Sequence, residues 1–273
     1  MIKVVVGFDF SSGSAKAVDL AIDIAKHWHS DIRLVYVKEK DEDENAVRDE
    51  IERRNAAVAD KLDDIAIDYV LRQGNPAAEL SAQAAADNAA ILVVGTHGMS
   101  GMKTNMLGRN SYKTIESSSV PVLIVREDFD FNKSLETIVV PIDSSDDTRQ
   151  KVAAASLFAR TFNSTLHILG LYTASSDDLR RRVDNYLFSV QRHLDASGVQ
   201  YLTKKVSDVK NVTTATLNYA SSVQADMIAI MTEQEYAPGS LLLGNYAQQM
   251  INLSKIPVLT VRPRPVLTEN ANY

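Results

Sequence analysis

The chain of 273 residues contains no cysteine, which rules out a disulfide scaffold and any thiol chemistry. It has no apolar run approaching the roughly 20 residues of a membrane helix. Met1 leads directly into Ile2-Lys3-Val4-Val5-Val6, a strand pattern without the basic n-region and cleavage site of a secretory leader. The expectation is a cytoplasmic protein with no membrane partner. An excess of basic charge is also missing. The 29 Lys and Arg stand against 35 Asp and Glu for a formal charge of −6, which argues against nonspecific binding to nucleic acid, since that relies on clustered cations at phosphates. Two common nucleotide motifs are absent as well. The dinucleotide fingerprint G-x-G-x-x-G occurs nowhere, and the nearest approach to a P-loop fails in its spacing. Gly95 and Gly101 enclose five residues instead of four, and Met102 separates Gly101 from Lys103 and Thr104.

What is present describes a folded protein written twice. With 45% hydrophobic and 23% charged residues the chain is able to bury a sizeable core, and its length suggests two domains. The segment Val4-Val5-Val6-Gly7-Phe8-Asp9 recurs as Ile138-Val139-Val140-Pro141-Ile142-Asp143, 134 positions later. Val120-Pro121-Val122-Leu123-Ile124-Val125-Arg126 recurs as Ile256-Pro257-Val258-Leu259-Thr260-Val261-Arg262, 136 positions later. Two nearly equal offsets at opposite ends of a half indicate duplication of a whole domain.

Apolar strands alternate with helical patterns in each half, the signature of a parallel sheet covered by helices on both faces. The strand pattern places β segments at 2–8, 32–37, 67–72, 91–94 and 122–125, then at 137–142, 166–171, 200–205, 227–231 and 258–261. Helices are expected from the Ser11, Ser12, Ser14 cluster onward, with Val18, Ile22 and Ala25 on one stripe, and over 146–160, 179–196 and 212–223. The charged run Asp41 to Arg54 reads as a solvated helix start. The fold class is therefore α/β: two tandem doubly wound parallel-sheet domains of five strands each, spanning 1–127 and 135–265, joined by the polar stretch Glu127 to Ser134. In such a fold the ligand crevice lies at the carboxyl ends of the strands, where strand order reverses, and both Asp9 and Gly95 follow strands on that edge.

The richest local feature is Gly95-Thr96-His97-Gly98, followed by Gly108-Arg109-Asn110-Ser111. A strand, Ile91 to Val94, delivers the backbone into a loop punctuated by glycines and then into a helix start. Main-chain N–H groups and the helix N-terminus can there receive an anion without many basic side chains. The spacing G-x2-G-x9-G with a nearby hydroxyl resembles the ATP-binding signature of the universal stress protein family. Both halves also share that family's opening strand with Asp and its closing Pro-Val-Leu-x-Val-Arg strand. The resemblance implies a Rossmann-like, adenine nucleotide alpha-hydrolase-like fold. It also implies ATP, with Mg2+, as cofactor, and nucleotide contacts at Phe8, Asp9, Val37, Gly95, Thr96, Gly98, Gly108, Arg109, Asn110 and Ser111. In this chain Arg109 stands where the family places the first hydroxyl.

Each residue also has a plainer role. Asp9 can cap the helix that follows it, Phe8 and Val37 can be ordinary core, and Arg109 can be a solvated surface cation. His97 reads as a loop residue, since no Ser or Cys nucleophile accompanies it. His27 and His29, two apart on a helix, do not make a metal pair. The cluster Phe10 to Ser14 only superficially resembles the phosphate loop of ATP pyrophosphatases, whose glycine pair and aspartate it lacks.

In the second half the signature decays. At the 136-residue offset Gly95 becomes Met231 and Gly98 becomes Gln234, while Gly108 survives as Gly244. The second half is expected not to bind ATP as the first does, and Asp143 to serve as a cap. The resemblance further implies that the halves pair through Val120 to Arg126 and Ile256 to Arg262 across a pseudo-two-fold axis, as an intramolecular pseudo-dimer open to further homodimerisation. Three functional readings follow: a stress-response protein that binds adenine nucleotide as a regulatory module, a slow ATP hydrolase or phosphoryl-transfer enzyme, and a scaffold that binds no nucleotide.

Overall fold

The computed structural model describes residues 3–62, 64–96, 107–129, 134–173, 176–232, 234–237 and 240–263. The first half runs β1 (Val4–Phe8), α1 (Ser12–Trp28), β2 (Ile32–Lys38), α2 (Glu44–Val58), β3 (Ile67–Gln73), α3 (Pro76–Ala86), β4 (Ile91–Gly95), α4 (Arg109–Ser117) and β5 (Val122–Val125). The second half repeats the plan with β6 (Thr137–Ile142), α5 (Lys151–Phe162), β7 (Thr165–Leu171), α6 (Asp177–Ser197), β8 (Tyr201–Val206), α7 (Val212–Ser222) and β9 (Met227–Met231). A hairpin of β10 (Gln234–Ala237) and β11 (Ser240–Leu243) then precedes α8 (Asn245–Leu253) and β12 (Val258–Val261).

Local chemistry accounts for these elements. β1, β4 and β5 are almost wholly buried apolar runs, as parallel strands covered on both faces must be. α1 starts where the Ser11 hydroxyl accepts the Ser14 amide, buries Val18, Ile22 and Ala25, and ends at His29 in the left-handed region (φ 47°). α3 starts with Pro76 in its first turn behind Asn75, whose side chain accepts the Ala78 amide. The charged α2 buries Val47 and Ile51 and laces its outer face with Glu44–Arg48 (2.7 Å) and Glu50–Arg54 (2.6 Å) pairs.

All the long strands join one ten-stranded sheet in the order β3-β2-β1-β4-β5-β12-β9-β6-β7-β8. Within this sheet pairing is parallel throughout each half and antiparallel only at the centre, where Val122, Leu123 and Ile124 oppose Thr260, Leu259 and Val258. The expected pairing of the closing strands is thus the seam of the molecule. Leu123 and Leu259 are both fully buried there, and the Thr260 hydroxyl donates to the Val122 carbonyl at 3.0 Å. The core forms two layers that each run through both halves, one under α1, α2, α5 and α6 and the other under α3, α4, α7 and α8. His27 contributes to the contact between the halves: its ring stacks on Phe162 of the second half at 4.2 Å, beside Trp28 on Phe158.

Two expectations change. The helix anticipated from Asp146 starts at Lys151, because residues 146–150 form turns. The β10–β11 hairpin, absent from the strand pattern, occupies the stretch that corresponds to the first half's glycine loop. Within the connecting stretch, Arg126 pairs with Asp128 at 3.2 Å, so ordered contacts extend into it.

Separating the halves between residues 129 and 134 uncovers apolar β5 in one piece and β12 in the other. Each piece is expected to self-associate in sedimentation velocity runs at micromolar concentration. Two stable monomers would contradict the seam's importance.

Candidate functional site

A cavity of about 430 Å³ opens at the carboxyl ends of β2, β1 and β4. Strand order reverses at this point: the chain steps outward from β1 to β2 and β3, then returns to place β4 and β5 on the other side. Val35, Val37, Leu80, Phe8 and Val94 supply an apolar wall. Glu39 and Glu42 follow β2, Asp9 stands at the end of the central β1, and Gly95, Gly108, Arg109, Asn110 and Ser111 stand on the β4 side.

The β4 side is built for an anion. α4 begins at Gly108 with no described side chain capping it, so the first amides of the helix lie at the cavity without a cap. Arg109 and Asn110 are exposed at this start, and Arg109 forms no ion pair with any described residue. Ser111 lines the cavity while its hydroxyl donates to the Gly95 carbonyl at 2.8 Å, so donation to a ligand requires rotation about χ1. Thr96 does not line the cavity. It is 3% exposed and serves through its backbone, taking the Gly108 amide at 2.7 Å and donating its own amide to the Val125 carbonyl. Gly98, His97, Lys103 and Thr104 lie outside the described residues.

Asp9, at the end of β1, does not itself cap α1, whose N-cap is Ser11. It lines the cavity, and its Oδ1 accepts the Ser11 amide (3.1 Å) and hydroxyl (2.5 Å), orienting the serine that caps α1. Tyr36, Glu39 and Glu42 were not singled out by the sequence. The Tyr36 hydroxyl donates to Glu42 at 2.8 Å, and burial together with that carboxylate pushes its pKa up. The signal available was the acidic run starting immediately after β2, on the ligand edge of the sheet. Phe10, next to Asp9, has φ 62°, a left-handed conformation uncommon for a bulky residue. Phe8, Tyr36 and the Arg54 guanidinium enclose its ring at 5.1, 4.8 and 5.2 Å.

Gly95 is fixed by close approach. A Cβ there would stand 2.6 Å from the carbonyl carbon and oxygen of Gly13 in the first turn of α1. In the second half Met231 holds the equivalent place, pairing with Val261 as Gly95 pairs with Val125. The helical turn that would press on it is replaced by the 146–150 turns. Asp143 keeps the geometry of Asp9, with Oδ1 accepting the Ser145 amide (3.0 Å) and hydroxyl (2.5 Å), but α5 begins after Gln150 and so Asp143 does not cap it. The place of buried Ala17 is taken by Lys151, 3% exposed, whose Nζ donates to the Thr148 carbonyl at 2.6 Å. Burial pushes the Asp143 pKa up, but the Lys151 ammonium and the Ser145 and Thr148 hydrogen bonds outweigh it and leave the carboxyl below its ordinary 3.8. A cation and a methionine thus stand in the second half where the first has an alanine and a glycine.

Comparison with known proteins agrees with this architecture. The family model described as "Universal stress protein family" matches residues 1–126 and again 134–262. The chain belongs to the universal stress protein family, in a tandem form. It is 30% identical over 147 residues to universal stress protein YxiE of Bacillus subtilis, covering 45% of this chain and 98% of that one. In fold it is similar to a universal stress protein structure from Archaeoglobus fulgidus, with a TM-score of 0.75, 21% identity and coverage of 95% of this chain and 98% of that one. It is also similar to a structure from Pseudomonas aeruginosa described as a functionally unknown protein, with a TM-score of 0.67, 15% identity and coverage of 96% and 92%. Among the described residues no helix is long and apolar enough to cross a membrane, and no cluster of metal-ligating side chains is present.

Gly95→Ala forces the α1 turn away from β4 and is expected to cost about 1–3 kcal/mol, read as a lower urea midpoint. An unchanged midpoint would show that the contact relaxes freely. The folded pKa of Asp143 lies below its unfolded value, so its contribution to stability is present above about pH 4 and is lost as pH falls through the folded value. Lys151→Met removes the cation, raises that folded pKa and should move the acid-unfolding midpoint, followed by circular dichroism, to higher pH.

Proposed function

We propose that the chain is a stress-response module that binds one adenine nucleotide, ATP in the first instance, in the first of two domains spanning 1–127 and 135–265. The observation that supports this reading is the polarity of the first-half cavity. Hydrogen-bond acceptors (Glu39 and Glu42 after β2, Asp9 at the end of β1), an apolar wall, and a helix start that no described side chain caps and that bears Arg109 beyond β4 line one cavity. A nucleoside phosphate has the complementary order, with hydroxyl and amino donors at one end, a flat apolar base, and an anion at the other. The candidate contacts are Phe8, Asp9 and Val37 for the nucleoside, and Gly95, Gly108, Arg109, Asn110 and Ser111 for the phosphates, with Thr96 and Gly98 shaping the loop. Mg2+ would enter on the triphosphate oxygens, which suits an ion that retains most of its waters and needs few protein ligands.

Binding is favoured over turnover because Asp9 and Arg109 are candidates for holding a metal and contacting a phosphate, but nothing in the sequence identifies a nucleophile. Phosphoryl transfer requires a group that orients the attacking oxygen as well as a cation at the transferred phosphate. The Met231 and Lys151 replacements support a single site per chain.

Calorimetric titration with ATP and Mg2+ should give close to one nucleotide per chain, and two equivalent sites would refute the reading. Charge-assisted contacts contribute roughly 1.5–3 kcal/mol, so Arg109→Ala should weaken affinity about ten- to a hundredfold. Single-turnover hydrolysis at saturating ATP should change little in the same variant. Unchanged affinity with hydrolysis reduced a thousandfold would instead establish an enzyme with Arg109 acting on the transition state.

A further inference from the structure

The glycine loop of the first half ends on a support that belongs to the second. The Leu107 amide, one residue before Gly108, donates to Oδ1 of Asn252 on α8 at 2.8 Å. The mirror contact exists: the Leu243 amide, one residue before Gly244, donates to Oε1 of Glu116 on α4 at 2.8 Å. Leu107 and Leu243 are counterparts at the 136-residue offset, as are Glu116 and Asn252. Tyr112 and Gln248 are counterparts too, and they meet each other, with the Gln248 amide group donating to the Tyr112 hydroxyl at 2.6 Å. The Arg126 guanidinium reaches the Asn252 carbonyl at 3.5 Å. The Leu107–Asn252, Leu243–Glu116 and Tyr112–Gln248 bonds obey the pseudo-two-fold relation, which makes them features of the assembled pair of halves and not of either alone.

We infer that Asn252 is a positioning residue for the ligand cavity of the first half, so that the second half, without a nucleotide site of its own, sets the affinity of the first. The inference rests on the nucleotide reading given above. Its physical basis is short. Leu107 leads directly into Gly108, Gly108 is held on its other side by the Thr96 carbonyl at 2.7 Å, and the next three residues line the cavity. With both ends of the junction fixed, the first amides of α4 are held in place before a ligand arrives, and an anion there meets donors that need little reorganisation. Releasing Leu107 from Asn252 leaves Gly108 tethered on one side only, and the helix start must be ordered at the expense of binding. By linkage, a bound nucleotide strengthens the seating of α8 to the same degree.

The test uses the full-length chain. Affinity for ATP with Mg2+ is measured by calorimetry in wild type, Asn252→Ala, Asn252→Asp and Glu116→Ala, and amide exchange at Leu107 is followed without nucleotide. Loss of one such hydrogen bond corresponds to an affinity loss of about three- to tenfold for Asn252→Ala. Asn252→Asp, which keeps an acceptor, should restore most of it. Glu116→Ala loosens the same interface on the hairpin side and should leave affinity within about twofold, because its partner is Leu243. Exchange at Leu107 should accelerate in Asn252→Ala alone. Wild-type affinity in Asn252→Ala overturns the inference, as does equal weakening by Glu116→Ala, which would mean that general loosening of the interface is responsible. Should Asn252→Ala fold poorly, absence of rescue by Asn252→Asp likewise overturns it. If wild type takes up no adenine nucleotide, the functional reading falls and takes the affinity claim with it. Leu107 exchange then still decides whether Asn252 holds the junction.

Discussion

The antiparallel pairing of β5 with β12 is the contact on which the remaining architecture depends. Three residue pairs, Val122–Thr260, Leu123–Leu259 and Ile124–Val258, turn two five-stranded parallel sheets into one. The seam removes an apolar edge from each half and extends both core layers across the molecule. It also brings α4 beside the β10–β11 hairpin and α8 beside the end of the first half's glycine loop. Every hydrogen bond between loop and opposite helix is a consequence of the relation that the seam imposes.

A second constraint separates the halves. In the first, the end of β4 and the first turn of α1 approach so closely that only glycine fits at position 95. In the second, Met231 occupies that place and the helix start is displaced to Lys151. The two changes fit each other, since a side chain at 231 and a helical turn over 146–150 would compete for the same volume. Lys151 then supplies an internal cation beside Asp143, so the acidic residue inherited from the shared plan is satisfied within the protein. Duplication preserved the strands and the asparagine caps Asn75 and Asn211 of α3 and α7, while the space around one strand end was reassigned.

Much of this was legible in the sequence because the relevant signals are local. Buried parallel strands read as short apolar runs, and most of the ten expected strands match the structure to within one or two residues at each end. The serine cluster at 11–14 announced α1, and the repeated Pro-Val-Leu-x-Val-Arg segment announced the seam through a family resemblance. The parts that escaped reading depend on distant partners. Asp146 looks like a helix start until Met231 is seen to fill the neighbouring space. The hairpin at 234–243 carries no clear alternation of its own and leans on Glu116 and Tyr112 of the other half. Glu42 falls in the run from Asp41 to Arg54 that reads as a solvated helix start, Glu39 precedes that run, and only the topology brings the two to the cavity. Asn252 has no distinguishing local pattern, since its role exists only once the halves are joined.

The order of synthesis adds a consequence of the central seam. β12 is the last strand among the described residues, yet it lies in the middle of the sheet, directly against β5, and 136 residues separate the paired closing segments. At about 5–20 residues per second, a ribosome takes roughly 7–27 s to make that stretch, and throughout this interval the first half has a complete fold with an uncovered apolar edge. On a polysome, neighbouring nascent chains present the same edge to one another. Covalent linkage guarantees the correct partner, but it delivers that partner last, so the hazard for this molecule is concentrated in the seconds before its final strand emerges.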